Sequence, residues 1–207
     1  AGVAAGAVAI HRAMHPAEAV SGLVPEGPRR RRPVPDHLFD LPSDVIHHEV
    51  PARDGGTIHA IERGSGQPLV LLHGITLRSD VWAPQLHQLA DRFRVISVDL
   101  RGHGRSVAGD EGYGIGVLAA DLDALLCGLD LRDAIVVGHS MGGKASMMLA
   151  LRHPENLNRL VVADIAPVPY THSQLPFITA MKAVDLSKVS RRSDAEHQLA
   201  EHGVEPS

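Results

Sequence analysis

Gly138-His139-Ser140-Met141-Gly142 reads G-x-S-x-G. It lies between an apolar run, Ala134 to Val137, and a helix-like stretch from Met141 to Leu151. A strand that turns sharply into a helix at a serine needs small residues two positions before and after it, so that the two chain segments can pass. Gly138 and Gly142 meet that demand, and Gly143 adds a third small residue. Such a turn would hold the Ser140 hydroxyl out at the carboxyl edge of a sheet. It would also aim the amino end of the following helix at whatever the serine attacks. A glycine-rich loop in which the serine merely caps a helix would carry the same five residues, so the flanking sequence has to decide.

Upstream, Leu69-Val70-Leu71-Leu72 is a run of four apolar residues bounded by Pro68 and by His73-Gly74-Ile75. It reads as a strand buried on both faces. A His-Gly step directly after such a strand resembles the oxyanion loop of α/β-hydrolases. There one backbone N–H comes from this loop and the other from the residue after the nucleophile. The resemblance implies His73 and Gly74 as the loop and the amides of Ile75 and Met141 as the oxyanion hole, with Gly138, His139 and Gly142 framing the nucleophile. The plainer reading of His73-Gly74 is a tight strand exit. A third segment, Arg94 to Asp99 followed by Leu100-Arg101-Gly102-His103-Gly104-Arg105-Ser106, resembles the D-x-R-G-H-G-x-S loop after the fourth strand of the same superfamily. By itself it is a glycine-rich turn whose polar side chains can bond their own backbone. His103 is therefore read as a loop histidine and not as a catalytic base.

Past the serine the match narrows. Gly138 to Lys144, Leu151-Arg152-His153-Pro154-Glu155 and Leu160 to Pro167 are similar to the small bacterial acyl-ester hydrolases and related mitochondrial α/β-hydrolase-domain proteins. Lys144 and Asp164-Ile165-Ala166-Pro167 discriminate. Ala180 to Asp185 and Arg191 to Glu196 look like the opening of that subfamily's helical lid.

Composition agrees without selecting this reading. With 44% hydrophobic residues, 207 residues can bury one sizeable core. A net charge of -4 offers nucleic acid no attraction. The 14 histidines are scattered and show no metal-ligand spacing, so no metal or other cofactor is expected. The single cysteine, Cys127, cannot form an internal disulfide and sits opposite a Leu118, Leu122, Leu125, Leu129 stripe. It reads as a passive helix residue, and its isolation fits the cytoplasm.

Residues 1–45 mix Ala-, Pro- and Arg-rich patches without a sustained period and read as a flexible tail. The apolar stretch Ala1 to Ile10 is too short to span a bilayer, so membrane association is not expected. As a remnant of a signal or anchor segment it would instead mean a secreted or membrane-anchored protein. Strands are expected at Val45–Val50, Thr57–Glu62, Leu69–Leu72, Arg94–Val98, Ala134–Val137 and Leu160–Asp164. Helices are expected at Ser79–Ala90, Val117–Leu129 and Met141–Arg152. This alternation predicts an α/β fold, a mostly parallel doubly wound sheet of the α/β-hydrolase type. The core is expected at 46–168 and the start of a lid at 169–207.

The chemistry implied is acyl transfer to water. Ser140 attacks an ester or thioester carbonyl, the two amides hold the oxyanion, and a histidine oriented by a carboxylate moves the proton. Asp164 lies 24 residues past Ser140 at the end of the sixth expected strand, where some superfamily members supply the acid. It reads equally well as a carboxylate capping the loop before Pro167. The family carries its histidine after the last strand. His172, His197 and His202 all fall in lid-like sequence, so the chain reads as a fragment whose base and final strands lie beyond Ser207. The partner implied is a small ester or thioester. The competing class is a non-catalytic hydrolase-fold binding protein; a carbon-carbon bond hydrolase or a lipase would use the same parts. An aspartate at the nucleophile position would have indicated dehalogenase or epoxide hydrolase chemistry, and Ser140 argues against both. Oligomeric state is not legible.

Overall fold

The structure is a computed structural model that describes residues 35–169 and 175–204. Expectations for residues 1–34 and for His172 lie outside the described residues. The chain divides into two units, 1–167 and 168–207.

Among the described residues, the first unit is built on a six-stranded sheet with β1 (Ile46–Pro51), β2 (Thr57–Arg63), β3 (Gln67–Leu72), β4 (Phe93–Val98), β5 (Ala134–His139) and β6 (Leu157–Ala163) in the order β1-β2-β4-β3-β5-β6. β1 and β2 pair antiparallel, as do β2 and β4; β4, β3, β5 and β6 run parallel. Helix α1 (Ala83–Leu89) lies on one side of the sheet, and α2 (Ile115–Gly128) and α3 (Met141–Arg152) on the other. The alternation of β3 explains how one apolar run serves both layers. Leu69 and Leu71 pack with Ile61, Leu86 and Val95, whereas Val70 and Leu72 join Val98, Leu118, Leu122, Leu125, Val136 and Leu149. Successive side chains of a strand point to opposite faces, so a buried parallel strand needs an unbroken apolar run.

Several boundaries differ from the sequence reading. The single helix expected at Ser79–Ala90 is a 3-10 turn, Ser79–Trp82, followed by α1, with Pro84 in its first turn. Proline fixes φ and lacks an N–H, so it suits a new helix start and interrupts a continuing ladder. β6 begins at Leu157, ahead of the expected Leu160, because its exposed early positions carry Asn158 and Arg159. β5 runs on through His139, straight into the serine turn. Within the segment read as a flexible tail, Asp36–Phe39 forms a 3-10 turn. That segment is tied to the sheet layer where His87 Nε2–H donates to the Asp40 carbonyl at 3.0 Å and Arg63 pairs with Asp44. Cys127 is exposed on α2, while Leu118, Leu122 and Leu125 are buried.

The second unit contains α4 (Leu175–Ala183), a 3-10 turn at Leu186–Lys188 and α5 (Arg192–Glu201). Asp194 in the first turn of α5 accepts from the backbone N–H groups of Ser190 and Arg191, a capping arrangement that starts the helix. The Asp185 backbone N–H donates to Gln198 at 2.7 Å, linking the turn to α5. No helix among the described residues is long and apolar enough to cross a membrane.

Candidate active site

Ser140 sits between the last residue of β5 and the first of α3 with φ 50° and ψ -113°. A non-glycine residue in this region is strained, and such strain persists only where the surroundings impose it. Here the surroundings are identifiable. The Ser140 N–H donates to the Ala163 carbonyl at 3.0 Å, its own carbonyl accepts from Lys144 N–H, and the Gly142 N–H donates to the His73 carbonyl. Gly142 has no room for a side chain: a Cβ there would lie 2.7 Å from the carbonyl oxygens of both Leu72 and His73. Gly142→Ala should therefore push α3 away from β3 and displace Ser140. The expected cost is about 2 kcal/mol or more, as for other overpacked sites, read as a lowered denaturant midpoint with an unchanged m-value.

The loop after β3 arrives beside the serine. A Cβ on Gly74 would lie 2.9 Å from His139 Nδ1 and 3.4 Å from Ser140 Cβ. Among the described residues, no acceptor takes up the backbone N–H of Ile75 or of Met141. Ile75 is exposed, and Met141 opens α3, where the first amides of a helix are left without intrahelical partners.

The histidines around Ser140 are already committed. His73, fully buried, donates Nδ1–H to the Gly74 carbonyl at 2.7 Å and accepts at Nε2 from the Leu100 N–H at 3.0 Å. Burial pushes its imidazole below the ordinary histidine range, against the partly offsetting bond to Gly74. His73 thus bridges the loops after β3 and β4 in its neutral form. His103 donates Nδ1–H to the Arg101 carbonyl at 3.0 Å and accepts at Nε2 from the Thr76 N–H at 3.3 Å, which agrees with its reading as a loop residue. His139 Nε2 faces Asp164 Oδ2 at 3.6 Å. Asp164 follows β6 in a left-handed conformation, φ 56°, with its side chain 87% exposed. Among the described residues none forms a hydrogen bond with Ser140 Oγ. His197 lies in α5 and His202 caps its carboxyl end, both in the second unit. The described residues contain no cluster of three or more metal-ligating side chains.

Two networks escaped the sequence reading. Arg101 is 1% exposed, and all five of its N–H groups are used. Nε and one Nη2 hydrogen go to Asp121, the other Nη2 hydrogen and one of Nη1 go to Asp54, and the last goes to the Glu111 carbonyl. The two carboxylates hold the guanidinium pKa well above its usual range, and Arg101 holds Asp54 well below the usual carboxylate range. Asp99 directly follows β4 and accepts from the N–H groups of Ser79 and Arg105 and from His59 Nδ1. Burial alone would raise its pKa, but these donors outweigh it and the net shift is downward. Together they fix the 99–106 loop from below and from the side.

This combination of sheet order, strained serine turn and converging loops defines a hydrolase-type α/β protein. The chain belongs to the alpha/beta hydrolase fold family, whose model matches residues 67–193. It is 39% identical over 111 residues, 54% of this chain and 40% of the relative, to 2-(acetamidomethylene)succinate hydrolase of Mesorhizobium japonicum. It is 43% identical over 119 residues, 56% of this chain and 43% of the relative, to a non-heme chloroperoxidase of Kitasatospora aureofaciens. Among solved structures it resembles a marine microorganism esterase, with a TM-score of 0.60 and 35% identity, covering 70% of this chain and 58% of that one. An esterase from Exiguobacterium antarcticum is similar at a TM-score of 0.58 and 26% identity, covering 75% and 60%. The chain spans less than half the length of the two sequence relatives.

Proposed function

We propose that Ser140 is the nucleophile of a hydrolase that cleaves carboxylic esters or thioesters through an acyl-enzyme intermediate. The observation that carries this reading is the conformation of Ser140, strained at the β5–α3 turn with Gly74 packed against its Cβ. Strain at a serine exposes Oγ and places the start of α3 behind it. As Oγ adds to the carbonyl carbon, the carbonyl π pair moves onto oxygen, and the free N–H groups of Ile75 and Met141 are the donors for that charge. Collapse of the adduct expels the alcohol or thiol, and water then releases the acid by the same route. The esterases among the structural neighbours support this choice.

The base that takes the Ser140 proton needs a free ring nitrogen in hydrogen-bond reach of Oγ. Both nitrogens of His73 and of His103 are engaged. His139 Nε2 faces Asp164 instead, and no ring nitrogen among the described residues bonds Ser140 Oγ, so we assign the base to a histidine outside the described residues, with Asp164 as its orienting acid. In that role the exposed Asp164 carboxylate would exchange its 3.6 Å approach to His139 for a hydrogen bond to the incoming imidazole. In protein that carries the assigned histidine, Asp164→Asn should lower kcat for p-nitrophenyl butyrate by several orders of magnitude with little change in thermal stability. A loss of less than about tenfold would remove Asp164 from the triad.

A further inference from the structure

We propose that Thr76 and His103 are positioning residues: His103 holds Thr76 in a left-handed backbone conformation, and the turn so formed aims the Ile75 N–H at the developing oxyanion. The aiming role rests on the reading of Ser140 as nucleophile. Neither side chain takes part in the bonds made and broken at Ser140.

Thr76 has φ 65°. For a β-branched residue this is an outlier, and it persists only where the surroundings impose it. The Leu77 N–H donates to the Gly74 carbonyl at 3.3 Å, so residues 74–77 form a four-residue turn with Ile75 and Thr76 at its centre. Positive φ at Thr76 and not at Ile75 is the type II pattern, in which glycine is the usual third residue. Threonine stands there in this chain, and two bonds hold it. Its N–H donates to His103 Nε2 at 3.3 Å, and its Oγ1–H donates to the Ile75 carbonyl at 2.6 Å. Of the five non-glycine residues with positive φ among the described residues, Thr76, Ser140 and Asp164 follow β3, β5 and β6 at the candidate active site. Backbone strain collects where function needs it, which singles out Thr76 from an ordinary loop residue.

His103 is itself fixed. Its Nδ1–H donates to the Arg101 carbonyl at 3.0 Å, its backbone N–H donates to Leu100 at 2.9 Å, and its carbonyl accepts from the Ser106 N–H at 3.0 Å. Its ring centroid lies 5.2 Å from that of the buried His73. Nε2 therefore presents its lone pair at a set place. If the Ile75–Thr76 peptide turned over to the commoner type I arrangement, the Thr76 N–H would leave that lone pair and the Ile75 carbonyl would swing toward it. Two acceptors would then face each other, so His103 selects the strained turn.

The turn sets the direction of one amide. In a trans peptide the C=O and N–H point in opposite directions. The Gly74 carbonyl is held by His73 Nδ1–H at 2.7 Å and by the Leu77 N–H, so the Ile75 N–H on the same peptide points away from both. The Ile75 carbonyl is tied by Thr76 Oγ1–H. The carbonyls on either side of the Ile75 N–H are thus engaged, and that N–H has no partner among the described residues.

Two measurements test this. The first is NMR of the whole 207-residue chain. Positive φ brings an amide hydrogen close to its own Hα, so Thr76 should give a strong intraresidue contact. His103→Phe, which keeps a ring beside His73 and removes the acceptor, should weaken that contact while the rest of the amide spectrum is kept. A Thr76 contact unchanged in His103→Phe would overturn the hold of His103 on the turn. The second measurement uses protein that carries the assigned base. There His103→Phe should lower kcat for p-nitrophenyl butyrate about tenfold to a hundredfold, with KM changed less than about twofold, because an oxyanion donor acts in the transition state. Adding Thr76→Gly should recover most of the loss, since glycine takes positive φ without a tether. A merely structural loss would deepen with the second substitution. An unchanged kcat in His103→Phe, or no recovery with glycine, would overturn the aiming role. Ser140→Ala measured alongside separates the two readings: if that protein stays active the nucleophile assignment fails, and the Thr76 contact still decides whether His103 holds the turn.

Discussion

In protein that carries the assigned base, Ser140→Ala should lower kcat for hydrolysis of p-nitrophenyl acetate or butyrate by about a thousandfold or more while leaving the fold intact. The magnitude follows from the role. A nucleophile and its base act as a unit, so deleting the hydroxyl leaves only the acceleration from substrate binding and the oxyanion donors. The fold should be preserved because Ser140 is held through its backbone: its N–H donates to Ala163 and its carbonyl accepts from Lys144, and alanine retains both bonds. Alanine carries a Cβ at the same positive φ of 50°, as serine does, so the backbone strain is unchanged and stability should differ little. A rate within about tenfold of the unmodified protein, measured on protein with an unchanged circular dichroism spectrum, would exclude Ser140 as nucleophile.

The largest effect on stability is expected at Arg101, which takes no part in the chemistry proposed for Ser140. Arg101→Leu leaves Asp121, itself buried, and Asp54 facing an apolar side chain with no counter-charge. Breaking a buried ion pair from one side costs about 3 to 5 kcal/mol, because the stranded charge keeps its desolvation penalty. For a chain of this size that is a fall in Tm on the order of 10 °C. Arg101→Lys should recover little, since an ammonium has three donors and no fork to match two carboxylates. A change in Tm under about 2 °C for Arg101→Leu would mean that the network is not holding the 99–106 loop.

The expected helix Met141–Arg152 agrees with α3 at both ends because strong local signals bound it: the glycine pair at its start, and His153-Pro154 at its end. The buried strands were legible for the same kind of reason, since a parallel strand covered on both faces must be apolar throughout. Edge strand β6 was only half legible. Its early positions carry Asn158 and Arg159, which look like loop until the strand is seen to pair on one side only among the described residues. In the site, the spacing of Gly138, Ser140 and Gly142 was readable because close backbone packing leaves a glycine signature. The contacts of His59 with Asp99, 40 residues apart, and of Arg101 with Asp54, 47 apart, were not. Nothing local in the sequence distinguishes those side chains from solvated ones. His139, the variable position of the serine motif, was likewise silent until Gly74 and Asp164 were found on either side of it.

The most direct test of the central claim is covalent. The protein is treated with a fluorophosphonate, digested, and the modified peptide sequenced by mass spectrometry. The phosphonyl group should be found on Ser140, and prior incubation with p-nitrophenyl butyrate should slow its appearance. Labelling confined to another residue, or equal labelling of the Ser140→Ala protein, would contradict the assignment of Ser140 as the nucleophile.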